Sequence, residues 1–238
     1  MSGHGKKYRE ALAKVDPKRQ YDPREAIRLA KETSFVRFDA TVELHLRLGI
    51  DPRHADQNIR TTVMLPHGTG KIVRVLVFAQ GDAARDAEQA GADFVGSDEL
   101  MTRIDKENFF DFDVAIATSD MMGKVGRLGR KLGPRGLMPN PKSGTVVRPE
   151  DMTETVRAVK GGRVEFRNDR TGLLHVGMGK VSFSEDQLYE NLVALMETVK
   201  TSKPASSKGT FVKTVTITTT MGPGIRINPN DVLAMGTV

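Results

Sequence analysis

Between Met122 and Val146 the chain gathers Lys124, Arg127, Arg130, Lys131, Arg135 and Lys142 without one acidic residue. Glycines at 123, 126, 129, 133 and 136 and prolines at 134, 139 and 141 punctuate the run. Backbone amides bared by glycine, with ammonium and guanidinium groups beside them, are the chemistry of phosphate binding. A cofactor phosphate, a polynucleotide and a plain cornering loop all use such residues.

Spacing excludes the cofactor. The dinucleotide fingerprint wants glycines at i, i+2 and i+5 after a strand, yet Gly68 and Gly70 are followed by Val73. A phosphate-binding P-loop wants a glycine five residues before Gly70, where Leu65 stands. From Gly123 onward the glycines are spaced three, three, four and three, a register that neither template uses. Catalytic constellations are missing too. The histidines at 4, 45, 54, 67 and 175 have no paired spacing suited to a metal, and no G-x-S-x-G elbow occurs. The expectation is a protein without enzymatic activity, cofactor or metal.

The charge balance points to a polyanion. The 238 residues carry a formal net charge of +6, which favours nucleic acid. Its distribution is uneven: residues 81–120 hold eleven acidic and three basic side chains, residues 121–148 seven basic and none acidic. With no cysteine, disulfides and thiolate metal sites are ruled out. No apolar run is long enough for a bilayer, and the opening MSGHGKKYRE has no secretory apolar core. The expected setting is cytoplasmic, with no membrane partner.

Two grammars alternate along the chain. Thr41–Leu48 puts Val42, Leu44, Leu46 and Leu48 on one face and Glu43, His45 and Arg47 on the other, the period of a strand with one wet face. Arg163–Arg167 repeats the pattern, and Val215 and Ile217 oppose Thr214, Thr216, Thr218 and Thr220. Between these flanks Ile72–Ala79 and Val114–Ala117 are almost wholly apolar, as strands covered on both faces would be. Helical segments separate them, Asp82–Ala90 and then Asp98–Ile104 behind a Ser97 cap; Pro149–Val159 forms a third. Capping boxes at Asp22–Glu25 and Ser184–Gln187 open two flanking helices.

The fold expected is therefore two-domain. A discontinuous α+β domain comes from residues 1–70 and 160–238, and a doubly wound, Rossmann-like α/β domain from the inserted residues 71–159. Gly68, Gly70, Gly161 and Gly162 are the expected hinges. Aromatic platforms for stacked bases are absent, and Phe166 shares its face with Val164 in the core. What remains is a surface of hydroxyls, carboxylates and basic groups: Glu43, Arg47, Arg163, Glu165, Arg167 and the threonine ladder. Folded RNA suits such a surface. Wet strand faces with no ligand suit it equally well.

A resemblance breaks that tie. GRLGRKLGPRGLMPNPKSGTV resembles the signature of the large-subunit ribosomal protein L-one family, the protein of the mobile stalk beside the tRNA exit site. SFVRFDATVELHLRLGIDPRHADQNIRTTVMLPHGTGK, AGADFVG, GRVEFRNDRTG and TTTMGPGIRINP are similar to the same family, in order, and coverage runs from about Lys6 to Pro229. The resemblance implies the split two-domain fold, with the terminal halves as the main RNA-binding domain. It implies binding to the stalk region of large-subunit (23S) ribosomal RNA and help with tRNA movement and release at the exit site. It further implies repression of the protein's own operon through its messenger RNA, and a monomer when free. RNA-binding residues carried over by motif are Arg37, Phe38, Thr41 and Glu43, then Asn168, Asp169, Thr171, His175, Lys180 and Ser182, and finally Thr220, Met221 and Gly222. The family more often has lysine where Arg37 and Arg170 stand here; the charge is kept and the hydrogen-bond geometry altered. The basic segment then falls in the inserted domain. It is expected to be a loop packed towards the interdomain cleft, with Lys124, Arg127, Arg130, Lys131 and Arg135 as auxiliary phosphate contacts. Rival readings are a cofactor-dependent enzyme and a non-ribosomal RNA-binding regulator. The tail after Asn230 is assigned no role.

Overall fold

The computed structural model describes residues 5–236; His4 and the closing Thr237 and Val238 of the tail lie outside them. The chain separates into two compact units, one of Met1–Gly70 with Val164–Val238 and one of Lys71–Arg163. In chain order the terminal-half unit holds α1 (Lys6–Leu12), α2 (Pro23–Glu32), β1 (Thr41–Leu48) and β2 (Arg60–Met64). The inserted unit holds β3 (Val75–Phe78), α3 (Asp82–Gln89), β4 (Phe94–Gly96), α4 (Asp98–Lys106), β5 (Val114–Thr118), α5 (Met122–Val125), α6 (Gly129–Leu132), β6 (Val146–Val147) and α7 (Met152–Lys160). The chain returns through β7 (Arg163–Arg167), β8 (Leu173–Lys180), α8 (Glu185–Thr201), β9 (Val212–Thr219), β10 (Ile225–Ile227) and α9 (Pro229–Ala234).

The terminal-half unit is built on an antiparallel sheet of order β10-β9-β1-β8. Alternation in β1 sends Val42, Leu44, Leu46 and Leu48 into the core, each at most 3% exposed. They join Leu174, Val176 and Met178 of β8 and Val215 and Ile217 of β9 in one cluster, covered by Ile27 of α2 and Leu188, Leu192, Leu195 and Met196 of α8. Burial at about 25 cal/mol per Å² of apolar surface makes this the main source of the unit's stability. Ser184 and Gln187 form the full reciprocal capping box that starts α8. Asp22 makes half of one: it accepts from the amides of Arg24 and Glu25, while the Glu25 carboxylate pairs with Arg19. Strand β7 lies with β2 in a separate two-stranded ribbon. The grouping of Arg163, Glu165 and Arg167 with Glu43, Arg47 and the threonine ladder in one surface is therefore corrected: Glu165 pairs with Arg60, and the Arg163 guanidinium donates to the Ser143 carbonyl.

The inserted unit has a parallel sheet of order β4-β3-β5-β6. Val75, Val77 and Ile116 face α3 and α7, whereas Leu76, Phe78, Ala115 and Ala117 face α4 and the basic segment. Helices thus cover both faces, the doubly wound arrangement expected from continuous apolar strands. The first strand is shorter than its apolar run: Ile72 is 89% exposed and β3 begins at Val75. Ser97 precedes α4 but makes no side-chain cap. The expected loop at 122–136 is largely helical: α5, a 3-10 turn at Gly126–Leu128 and α6 follow one another. Met121, Val125, Leu128 and Leu132 point into the core from this stretch.

Of the glycines expected as hinges, Gly68 and Gly70 have left-handed backbones and belong to the terminal-half unit. The Gly68 carbonyl accepts from the fully buried Asn191 at 2.9 Å. A Cβ on Gly70 would meet Lys180 Cγ at 2.7 Å and Phe183 Cε1 at 3.0 Å. Gly161 caps α7, and Gly162 has φ 111°.

Candidate nucleic-acid interface

The outer face of the antiparallel sheet is polar by register. Glu43 lies opposite Thr218 on one side and Gly177 on the other; His45 lies between Thr216 and His175. The Nδ1 atoms of His45 and His175 are 2.7 Å apart. Glu43 lies 3.6 Å from His45, and Asp169 3.9 Å from His175. A row therefore crosses the face, two imidazoles side by side with a carboxylate at each end. Desolvation holds the His45 pKa below the ordinary histidine value, assisted by His175 and opposed by Glu43.

At one end of the sheet Thr41, Lys180 and Thr220 of the carried-over residues converge. A register shift between Val42 and Glu43 places Thr41 opposite Lys180, whose ammonium donates to Thr41 Oγ1 at 2.9 Å. Thr220 clasps the same residue twice, donating its amide to the Thr41 carbonyl at 3.0 Å and accepting the Thr41 amide on Oγ1 at 3.1 Å. The Gly222 amide closes a turn on the Thr219 carbonyl at 2.7 Å, and Thr218 Oγ1 donates towards the carbonyls of Gly222 and Pro223 at 3.2 Å. Glu43 and Gly222 thus belong to one end of one surface.

Met221 sits at φ 67°, a left-handed backbone that side chains other than glycine adopt at a cost, and its side chain is 68% exposed. Phe38, in the segment leading to β1, is 59% exposed. Two bare apolar groups beside a clasped hydroxyl cluster suit stacking or packing against a ribose or base. Arg37 is also exposed. Ser182 is occupied: its hydroxyl and amide both donate to Asp39, at 2.7 and 3.0 Å. The Ser182 hydroxyl holds the Asp39 carboxyl below its usual range. Sequence reasoning passed over Asp39, whose place inside the quoted VRFDATVE segment was the available signal.

Asn168, Asp169 and Thr171 lie at the opposite end of β8, where they build the turn into that strand. Asn168 Oδ1 accepts from the Ile59 amide at 2.7 Å, and its Nδ2 donates to Asn58 Oδ1 at 3.1 Å. Asp169 accepts from the amides of Leu173 and Thr171 and from the Thr171 hydroxyl, each at 2.8 Å. The Leu173 amide is the chief cause of its lowered pKa. His175, between the two ends, is the member of this group whose ring faces the open surface beside His45.

In the inserted unit the basic segment is less free than its sequence suggests. Lys124 pairs with Asp98 at 2.9 Å and Lys131 with Asp105 at 3.2 Å. Arg135 donates to the Lys131 carbonyl and lies 3.8 Å over the Phe110 ring. Arg127 and Arg130 are exposed. No group of three or more His, Cys, Asp or Glu among the described residues is placed for a metal ion, and no helix among them is long and apolar enough to cross a membrane.

Comparison with known proteins gives the surface a context. The large ribosomal subunit protein uL1 of Chloroflexus aggregans is 72% identical over 228 residues, covering 96% of this chain and 96% of the relative. That of Chloroflexus aurantiacus is 70% identical over 229 residues, covering 96% and 97%. Residues 30–223 match the Ribosomal protein L1p/L10e family, and on that span, together with identities of this size over nearly full length, the chain belongs to that family.

Proposed function

We propose that the protein is a structural, non-enzymatic component of the large ribosomal subunit in the cytoplasm. It grips the stalk region of 23S ribosomal RNA with the outer face of its antiparallel sheet. The turn Thr220-Met221-Gly222 carries this reading. A backbone held in an unfavourable conformation, clasped to β1, with its apolar side chain bare, fits a surface shaped in advance for a ligand. Thr41, Glu43 and Lys180 complete that end, with Phe38 and Arg37 at its margin and His175 further along. Asn168, Asp169, Thr171 and Ser182 act through the turns they hold.

The same surface serves two further roles in this proposal. It recognises a similar fold in the protein's own messenger and represses translation of the operon, and stalk-bound protein assists movement and release of tRNA at the exit site. The free protein is a monomer. Arg127 and Arg130 are the auxiliary phosphate contacts best placed to act. The hinge role of Gly161 and Gly162 belongs to the same proposal, whereas in the terminal-half unit Gly68 is held by its hydrogen bond from Asn191 and Gly70 by packing against Lys180 and Phe183. The test is binding of the full chain to a stalk fragment of 23S RNA and to the leader of its own messenger. Met221→Ala should weaken both by about tenfold, the loss expected for one base-sized apolar contact. Unchanged affinity for the stalk fragment would remove the turn from the interface. Loss for the stalk alone would separate the messenger role from this surface.

A further inference from the structure

The inserted unit has a feature that RNA binding leaves unused. In its strand order, β3 is flanked by β4 on one side and β5 on the other, so the connections leave in opposite directions at β3 and β5. Open α/β sheets take ligands in the crevice beyond the carboxyl ends of such strands. Here that crevice has a volume of about 280 Å³, and its lining includes Gln80, Asp82, Ala83, Thr118, Asp120 and Pro149 beside Met121. Thr118 ends β5 on the same side as Ile116, the α3 side of the sheet. It is only 3% exposed, its hydroxyl has no hydrogen-bond partner among the described residues, and it lines the crevice. Thr118 Oγ1 is not sealed off without a partner, as Thr219 Oγ1 is; it opens to the crevice, where a ligand donor can reach it.

The charge at the mouth selects the ligand. Asp82 and Asp120 line the crevice, and no lysine, arginine or histidine does; Arg85, outside the lining, pairs with Asp82 at 3.4 Å, which leaves Asp120 as the principal charge. Asp82 is also the first residue of α3, so its carboxylate already occupies the end of that helix which would attract an anion. Phosphates and carboxylates are repelled. Among the described residues no three His, Cys, Asp or Glu side chains are grouped there to hold a metal ion. We propose that the crevice binds a primary ammonium group carried on a short aliphatic chain. The ammonium donates to the Asp120 carboxylate, the Thr118 hydroxyl and the Gln80 side-chain carbonyl, and the methylenes lie along Ala83 and Pro149. A free polyamine and a lysine side chain of a neighbouring protein both supply this chemistry.

The test titrates putrescine into the full-length protein, with backbone amide resonances of residues 80–83 and 118–121 as the readout. Saturable shifts confined to those residues are expected. Asp120→Asn, an isosteric change at an exposed position, should weaken binding about tenfold, as loss of one charge-assisted hydrogen bond does. Thr118→Val should weaken it about threefold, a neutral bond being worth less. Repeating the titration with Nα-acetyl-lysine amide distinguishes the sources. Tighter binding than putrescine assigns the crevice to a lysine side chain, weaker binding to the free diamine. Shifts that do not saturate, or an Asp120→Asn protein that binds putrescine as wild type does, would overturn the proposal.

Discussion

The two units present polar chemistry in opposite ways. In the terminal-half unit one sheet face is bare, so register alone sets out a row of side chains, with Thr218, Glu43 and Gly177 in one line and Thr216, His45 and His175 in the next. In the inserted unit both faces are covered, and polar groups are confined to strand ends and helix surfaces. The charges differ as well. The segment richest in basic residues is tied to its own acids, Lys124 to Asp98 and Lys131 to Asp105. The end of the antiparallel sheet, with fewer charges, leaves strained and apolar groups open. A basic stretch of sequence is not the same thing as free positive charge in space. In the proposed function, recognition follows the rigid bare face rather than the richest run of lysine and arginine.

The sharpest way to break this contrast is at Gly222. A Cβ there would collide with Thr219 Oγ1, itself buried without a hydrogen-bond partner. Gly222→Val should displace the turn and cost about 3 kcal/mol of stalk-RNA affinity, the upper end for losing a strained, preorganised element. The thermal unfolding of the inserted unit should not move. Filter binding beside a two-transition melt measures both, and retained affinity would show that the turn's shape is irrelevant to the RNA.

Thr220→Val tests the clasp more gently. It removes the acceptor for the Thr41 amide, so affinity should fall by about 1–3 kcal/mol through an unpaired backbone donor at the interface edge. Thr220→Ser keeps the hydroxyl and should restore most of the loss. If serine and valine behave alike, the hydroxyl has no part in binding.

The inserted unit supplies the complementary measurement. Arg127→Ala with Arg130→Ala should lower the slope of log affinity against log salt by about one to two, one for each phosphate contact removed. Base preference should be unaltered. Replacing Lys124 and Lys131 instead should leave the slope unchanged, since their charges are already answered by Asp98 and Asp105. Equal effects from the two pairs would mean that sequence charge, not free charge, decides.

How far these sites were legible in the sequence depended on the period of each element. The alternation of Thr41–Leu48 and of the threonine ladder marked the bare sheet, and the continuous apolar runs marked the covered one. Pairing order was not legible. Nothing local says that β9 and β8 flank β1 while β7 joins β2 elsewhere, and so Arg163, Glu165 and Arg167 were grouped with the wrong surface. The basic segment misled for a different reason. Its glycines suggested a loop, yet Met121, Val125, Leu128 and Leu132 stand at helical intervals and supply the apolar stripe that folds it onto the sheet. Burial of that stripe outweighed the helix penalty of about 1 kcal/mol for each glycine. Motif likeness found the residues around the turn but could not divide them by task. Asn168 and Thr171 shape a turn, while Met221 meets the solvent, and only coordinates separate the two.

The least conspicuous difference between the units is their response to acid. All five histidines lie outside residues 71–163, and among the described ones His45 is the one whose surroundings set a direction for its titration. His45 faces His175 across β8, Thr216 across β9 and Glu43 on its own strand, with Asp169 beyond His175. Desolvation keeps its folded-state pKa below the ordinary value, so protonation favours the unfolded chain. The resulting stabilisation is complete above about pH 6.5 and is lost as pH falls through the folded-state value. Solvent screens a half-exposed ring, and the effect is therefore small, on the order of 1 °C in Tm. Melts at pH 7.5 and 5.5 should show the terminal-half transition of wild type falling further than that of His45→Gln. The inserted unit's transition should respond equally in both proteins. An equal fall of the terminal-half transition in the two proteins would locate the acid sensitivity in carboxylates instead, and the imidazole pair would then serve the RNA surface by shape alone.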